Sequence, residues 1–300
     1  MVKKPTVTIG ITAFNEEKAL PLLLADIEKF DKTSLKLEKV IVYSDGSTDL
    51  TVNKAKKSAI KNLDVINMKK RQGKKAGINY ILKKNKSDFL VLFDADIRIY
   101  DRNIISKLLN AFKKDKKIVL VGGNTQPLNP TSFFQRGVYS TFKVFEASRD
   151  FVKDGNNIFG CNGACMVLKA DFAKRIQLPN IVNDDDYLYF SVLSQHFKFK
   201  HVKEAVVFYK LPTNATDYIK QCFRSNPEAV SENLVDYFGD LIKKEYKRPF
   251  HLYGLAITKS FVSYPLETVY ISLINILIKP FTSIVASNYK LSWHRAGSTK

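Results

Sequence analysis

Two aspartates one residue apart, Asp94 and Asp96, close the apolar run Phe89-Leu90-Val91-Leu92-Phe93. Carboxylates so placed can converge on a hard divalent cation that also grips phosphate oxygens. The same pair also suits an Asx-type turn capping the next helix. Other polar groups recur in comparable settings. Asn15 and Glu16 follow the strand-like stretch from Val7 to Ala13, and Asp45 stands in Ser44-Asp45-Gly46-Ser47-Thr48-Asp49. Asp184-Asp185-Asp186 follow Asn183 at a helix start. An N-cap with favourable dipole interactions needs only one or two of these three acids. One of them could therefore act as a base, with the others setting its orientation. Lys74, in Lys69-Lys70-Arg71-Gln72-Gly73-Lys74-Lys75, could bring positive charge to a phosphate or remain one of several solvated lysines.

The elements that position these residues follow from periodicity. An unbroken run of five apolar residues is the pattern of a strand buried on both faces, the habit of parallel sheets. Val7 to Ala13, Val40 to Tyr43, Asp64 to Asn67 and Ile118 to Gly122 read as further strands. Leu20, Leu23, Leu24, Ile27 and Phe30 recur at helical spacing, and helices are expected after the Lys69 to Lys75 run through Leu82 and from Asn103 to Phe112. Pro21 sets the expected start of the regular part of the first helix, where its missing N–H is harmless. The β-α-β alternation predicts an α/β domain with a mostly parallel central sheet, helices on both faces and right-handed crossovers. Asn15, Glu16, Asp45, Asp94 and Asp96 then collect at the carboxyl edge, where open α/β sheets take ligands. Beyond Gly122 the periodicity weakens. Phe133 to Val152 predicts an amphipathic helix, and Phe159 to Leu168 runs through small residues that let a backbone approach a ligand or pack tightly.

The totals narrow the partners. Lys and Arg number 48 against 29 Asp and Glu, a formal charge of +19, which calls for an anionic partner. Nucleotide phosphates, an anionic membrane surface and nucleic acid all qualify. The 3 cysteines suit a reducing compartment. Met1 to Pro5 leads into the first strand with no apolar targeting segment, which places the catalytic part in the cytoplasm. Toward the other end, Leu252 to Ser287 is apolar but broken by Lys259, Glu267 and Lys279-Pro280. Thr268 to Ile278 is about half the ~20 residues a spanning helix needs. Interfacial helices are expected, with Phe250, Tyr253, Phe261, Tyr264, Tyr270 and Trp293 as anchors. Lys243-Lys244, Lys247-Arg248, Lys290 and Arg295 would then meet anionic headgroups. A pair of core or dimer helices is the other reading.

Five motifs in order carry a resemblance: Thr12-Ala13-Phe14-Asn15-Glu16, Ser44 to Asp49, Gly73-Lys74 with Asn79, Asp94-Ala95-Asp96, and Asp184-Asp185. Over roughly residues 6 to 225 the chain resembles the family 2 glycosyltransferases. The resemblance implies a GT-A fold, a Rossmann-like sheet flanked by helices. It also implies an inverting enzyme that moves a sugar from a nucleoside-diphosphate sugar to an acceptor hydroxyl, with UDP favoured over GDP. Nucleotide contacts are implied at Ala13, Asn15, Glu16, Asp45, Lys74, Asp94 and Ala95. Mg²⁺ or Mn²⁺ would be held by Asp96 with Asp94, and Asp185 would be the general base with Asp184 as the alternative.

Gln221-Cys222-Phe223-Arg224-Ser225 resembles the Gln-x-x-Arg-Trp of the cellulose and hyaluronan synthases and adds Gln221 and Arg224 to the nucleotide contacts. Ser225 stands where that motif has Trp. Thr12 replaces the family's usual Pro, and Ser44 replaces the first acid of its uridine motif. The expected organisation is a catalytic domain over residues 1–235, with a nucleotide half over about 1–125 and an acceptor half over about 126–235. An apolar helical extension over 236–300 follows. The expected acceptor is a lipid-linked or membrane-associated glycan at the cytoplasmic face of an anionic membrane, and nucleic acid is not an expected partner. A sugar-nucleotide nucleotidyltransferase would share the sheet and metal acids, but should carry a Gly-rich, Arg-containing loop after the first strand. A non-catalytic basic binding module would explain the charge and leave the acids at one sheet edge unexplained.

Overall fold

The structure, a computed structural model, describes residues 3–180, 183–224, 234–247, 258 and 260–288. Ser225, Arg248, Phe250, Leu252, Tyr253, Lys259, Lys290, Trp293 and Arg295 lie outside the described residues. The chain forms two compact units, Met1–Gln126 with Cys161–Phe208, and Pro127–Gly160 with Tyr209–Lys300. The elements run β1 (Thr6–Ala13), α1 (Ala19–Glu28), β2 (Lys36–Ser44), α2 (Thr51–Ala55), β3 (Leu63–Asn67) and α3 (Lys74–Lys84). They continue with β4 (Phe89–Asp94), β5 (Ile97–Arg98), α4 (Ile104–Lys114), β6 (Ile118–Pro127) and α5 (Phe133–Phe151). Then come β7 (Cys165–Lys169), α6 (Ala170–Ala173), α7 (Asp184–Ser194), β8 (Lys198–Tyr209) and α8 (Ala215–Arg224), with further helices at Asp240–Tyr246 and Pro265–Asn288.

The first unit is built on one sheet of order β3-β2-β1-β4-β7-β6-β8-β5. The first four strands of that order are parallel, with Ile9 opposite both Val40 and Val91. Val7, Ile9, Ile11, Val40, Val42 and Val91 are fully enclosed, which accounts for their apolar runs. β7 runs antiparallel to both β4 and β6. The sheet is thus mostly parallel with one reversed strand inserted.

Helix α1 buries Leu20, Leu23, Leu24 and Ile27 against this sheet. It begins at Ala19, two residues before the start that Pro21 suggested. The first N–H groups of a helix have no intrahelical acceptor, so a proline inside that turn forfeits no bond. β6 likewise runs past Gly122 to Pro127. Gly123 fits there because a Cβ on it would stand 2.6 Å from Cys165 Sγ.

The second unit is helical. Ser132 caps α5 by accepting from the Gln135 N–H at 3.2 Å. Gly137 lets the Pro265–Asn288 helix approach α5, since a Cβ there would meet the Glu267 carbonyl oxygen at 2.9 Å. Arg136 Nε donates to Glu267 Oε1 at 2.6 Å across the same contact. Val138, Leu211, Tyr218 and Ile271 form the small core beneath it, and the Tyr218 hydroxyl donates to Asn275 Oδ1 at 2.8 Å.

Candidate active site

Four sequence-distant groups meet at the carboxyl edge of β4. Asp94 is the last residue of that strand, Lys74 opens α3, and Asp184 and Asp185 open α7. The Lys74 ammonium lies 2.8 Å from Asp94 Oδ1 and 3.3 Å from Asp184 Oδ2. Burial alone would lower the Lys74 pKa; the carboxylates of Asp184, Asp94 and Asp185 together outweigh it and hold the ammonium above its ordinary range. Burial pushes Asp184 up to about 6 against the opposing pull of Lys74, and Asp185 and Asp94 add to the rise. A buried carboxylate and a buried ammonium therefore neutralise one another in a small cleft lined also by Gly10, Thr12 and Gly163.

Asp185 is held differently. Its Oδ2 accepts from the Gly163 N–H at 3.0 Å and its Oδ1 from the Asp186 N–H at 3.1 Å. The carboxylate is oriented by backbone while remaining partly exposed. A Cβ on Gly163 would fall 3.1 Å from Lys74 Nζ and 3.5 Å from Asp185 Oδ2. The small-residue run before β7 thus brings a peptide N–H directly onto the acid pair. This contribution was hidden from motif reading because a backbone N–H has no residue type. Asn183 Nδ2 donates to Asp186 Oδ2 at 2.9 Å, so the third acid ties down the start of its own helix.

The neighbouring strand ends are laced together. Asn15, at φ +52°, accepts the Thr48 N–H on its Oδ1 at 2.7 Å and donates its own N–H to Ser47 Oγ at 3.0 Å. The Glu16 N–H donates to Thr51 Oγ1 at 2.6 Å. Ala13 is buried, and its carbonyl accepts the Asp45 N–H at 2.8 Å. Asp45 is only 4% exposed, and its two oxygens accept from the N–H groups of Gln72 at 2.6 Å and Gly73 at 2.8 Å. That grip fixes the entry to α3, where Gly73 takes φ +92°, and so positions Lys74. Gly46 makes the approach possible, because at φ +71° a Cβ would stand 2.9 Å from the Arg71 nitrogen. The Arg71 guanidinium lies 4.3 Å from the Phe14 ring centroid, over the same edge.

Asp45→Ala strips two partly buried N–H groups of their acceptor. It is expected to lower stability by about 2–4 kcal/mol, seen as a reduced urea midpoint at unchanged m. A midpoint like the wild type's would show that the loop does not depend on this carboxylate.

Ala95 is buried and Asp96 half-buried in the turn between β4 and β5. Among the described residues, no three His, Cys, Asp or Glu side chains converge as a ready-made metal cage. Asn79 clasps the backbone of Leu178 from both sides, at 2.9 and 2.8 Å, and so works as a brace in the chain leading to α7. Gln221 and Arg224 lie on α8 in the second unit.

This mostly parallel sheet flanked by helices has the GT-A fold shared by solved glycosyltransferases. Residues 8–176, more than half of the chain, match the profile of Glycosyl transferase family 2, and the chain belongs to that family. It is a nucleotide-sugar-dependent glycosyltransferase. No curated protein matches it by sequence.

Solved structures share its fold at low identity. The mannosyltransferase PcManGT from Pyrobaculum calidifontis is 16% identical, with a TM-score of 0.60 over 96% of this chain and 80% of that one. Glucosyl-3-phosphoglycerate synthase from Mycobacterium tuberculosis, also 16% identical, has a TM-score of 0.55 over 78% and 79%. TarS 1–349 from S. aureus is 15% identical, with a TM-score of 0.52 over 86% and 72%.

Proposed function

We propose that this protein transfers a sugar from a nucleoside-diphosphate sugar, preferably a UDP-sugar, to an acceptor hydroxyl with inversion at the anomeric carbon. The observation that carries the reading is the cluster itself: an oriented, partly exposed carboxylate, Asp185, beside a buried Lys74 bound to Asp94 and Asp184. Asp185 takes the acceptor's proton as the hydroxyl oxygen attacks. Each of its oxygens has a second lone pair beyond the one given to a backbone N–H. The bond from the anomeric carbon to the diphosphate oxygen breaks on the opposite face, and the nucleoside diphosphate leaves with the electron pair. Lys74 is placed to meet that growing negative charge. Asp184 shares Lys74 and limits the net charge of the cleft before the diphosphate arrives.

Asp94 and Asp96 are hard oxygen donors on one turn, a set that suits Mg²⁺ or Mn²⁺ once diphosphate oxygens complete the shell. Bound there, the cation would supply further neutralisation of the leaving diphosphate. Ala13, Asn15, Glu16 and Asp45 line the edge assigned to the nucleoside. The reading is supported by relatives solved with GDP-Man and Mn²⁺ and with UDP and Mn²⁺. The acceptor we favour is lipid-linked or part of a membrane-held glycan, reached from the cytoplasmic side.

A thermal-shift panel of UDP, GDP and CDP, each with and without Mn²⁺, tests the donor site. A nucleotide at ~100 times its Kd adds roughly 2.7 kcal/mol, or about 5–10 °C for a chain of this size. We expect the UDP shift to be largest, to require metal and to vanish in Asp96→Ala. Equal shifts with and without metal would remove Asp96 from the site.

A further inference from the structure

One face of the Pro265–Asn288 helix contradicts the usual rule for a helix at the surface of a soluble protein. Its inner side is docked on α5, with Thr268 and Ile271 at 6% and 0% exposure. Its outer side carries Leu266, Val269, Tyr270, Leu273, Ile276, Leu277 and Phe281, exposed by 41–72%. At 100° per residue these fall within an arc of about 140°, and between Leu266 and Phe281 Pro280 is the only other residue in it. From Leu266 to Phe281 no charged or hydrogen-bonding side chain other than the Tyr270 hydroxyl breaks that arc. A solvated face should be polar, and contiguous apolar patches of this kind mark interaction surfaces.

Charge and length choose the occupant. Residues 247–300 contain 7 Lys and Arg, namely 247, 248, 259, 279, 290, 295 and 300, against a single acid, Glu267. That acid points inward, bound by Arg136 at 2.6 Å. The apolar face therefore sits in a segment whose charge is overwhelmingly positive. Two copies paired through this face would bring those charges together, in a chain that already carries +19. Anionic lipid headgroups would instead complement them. From Leu266 to Phe281 the face runs ~22 Å, short of the ~30 Å hydrocarbon core. Among the described residues, no helix is long and apolar enough to cross a membrane.

We propose that the outer face of the Pro265–Asn288 helix rests in the plane of an anionic lipid bilayer, its apolar arc in the acyl boundary and the flanking lysines and arginines among the headgroups. This surface does not depend on the donor-site reading, and flotation without nucleotide separates the two. The full chain should float with mixed phosphatidylcholine–phosphatidylglycerol vesicles and much less with phosphatidylcholine alone. Leu273→Gln with Leu277→Gln, both at exposed positions, should reduce the floated fraction by about tenfold or more, while the melting temperature and the UDP shift stay unchanged. If that pair unfolds the protein, Val262→Gln with Leu266→Gln replaces it, at positions exposed by 80% and 72%. Flotation unchanged by both pairs overturns the proposal. So does recovery of the wild type in the lipid-free fraction. A concentration-dependent dimer abolished by the same substitutions would assign the face to a second copy instead.

Discussion

Lys74→Met is expected to lower the melting temperature by about 6–12 °C near neutral pH. Removing one partner of a buried ion pair costs ~3 kcal/mol or more, and each kcal/mol moves the midpoint of a domain this large by roughly 2–4 °C. Lys74 is 17% exposed and Asp184 6%, so water screens little of the loss. The effect should depend on pH in a fixed direction. Without the ammonium, Asp94, Asp184 and Asp185 face one another, and Asp184, already raised to about 6 by burial, binds its proton more tightly still. The folded variant then takes up protons that its unfolded chain does not, so its stability rises as pH falls from about 7 to about 5.

In the wild type the sign for Lys74 is the ordinary one for a raised lysine. Its contribution is complete below the unfolded-state lysine pKa and is lost only as pH climbs through the higher folded value. The gap between wild type and variant must therefore narrow on acidification. Melting curves at the two pH values measure it. A gap of constant width would mean that the three carboxylates do not share one cation.

Asp185→Asn should reduce turnover by about 10²–10⁴-fold, the usual worth of a positioned general base. The amide can keep accepting from the Gly163 N–H, so orientation survives while basicity is lost. Nucleotide-induced thermal shifts should persist at wild-type size, which separates a proton-transfer defect from a binding defect. Asp184→Asn is expected to lose less activity, because its carboxylate is committed to Lys74 at 3.3 Å. Should the two variants exchange rank, the base is Asp184 and Asp185 is the orienting group.

The parallel part of the sheet was legible because β1, β2 and β4 are enclosed and must be written as apolar runs. The reversed strand β7 was not. Cys165-Met166-Val167 follows a string of small residues, and only the partner strands on either side make it a strand. β8 was hidden in another way: Lys198, Lys200, Lys203 and Glu204 lie in a strand whose Phe199, Val202, Ala205 and Val207 are buried. Its charged positions mask the alternation.

At the site, spacing along the chain found the acids and their shared edge. It could not find the Lys74–Asp184 contact, because those residues lie on α3 and α7 and meet only when both helices start at the same end of the sheet. Nor could it show that Asp45 holds the Gln72–Gly73 backbone. The motif names the acid, and the hydrogen bonds belong to the peptide.

β6 and β7 are antiparallel neighbours, with Gly122 opposite Met166, yet the chain between them contributes α5 to the second unit. Topologically this is a hairpin whose turn has been replaced by a module. The last paired residues, Gly122 and Met166, sit about one strand spacing apart, roughly 5 Å, whatever the chain between the strands carries. Such a junction tolerates exchange: insertions can lengthen, shorten or substitute the intervening segment while the strand pairing stays in register. The inserted segment can then diversify while the parallel edge formed by β1, β2 and β4 keeps its order.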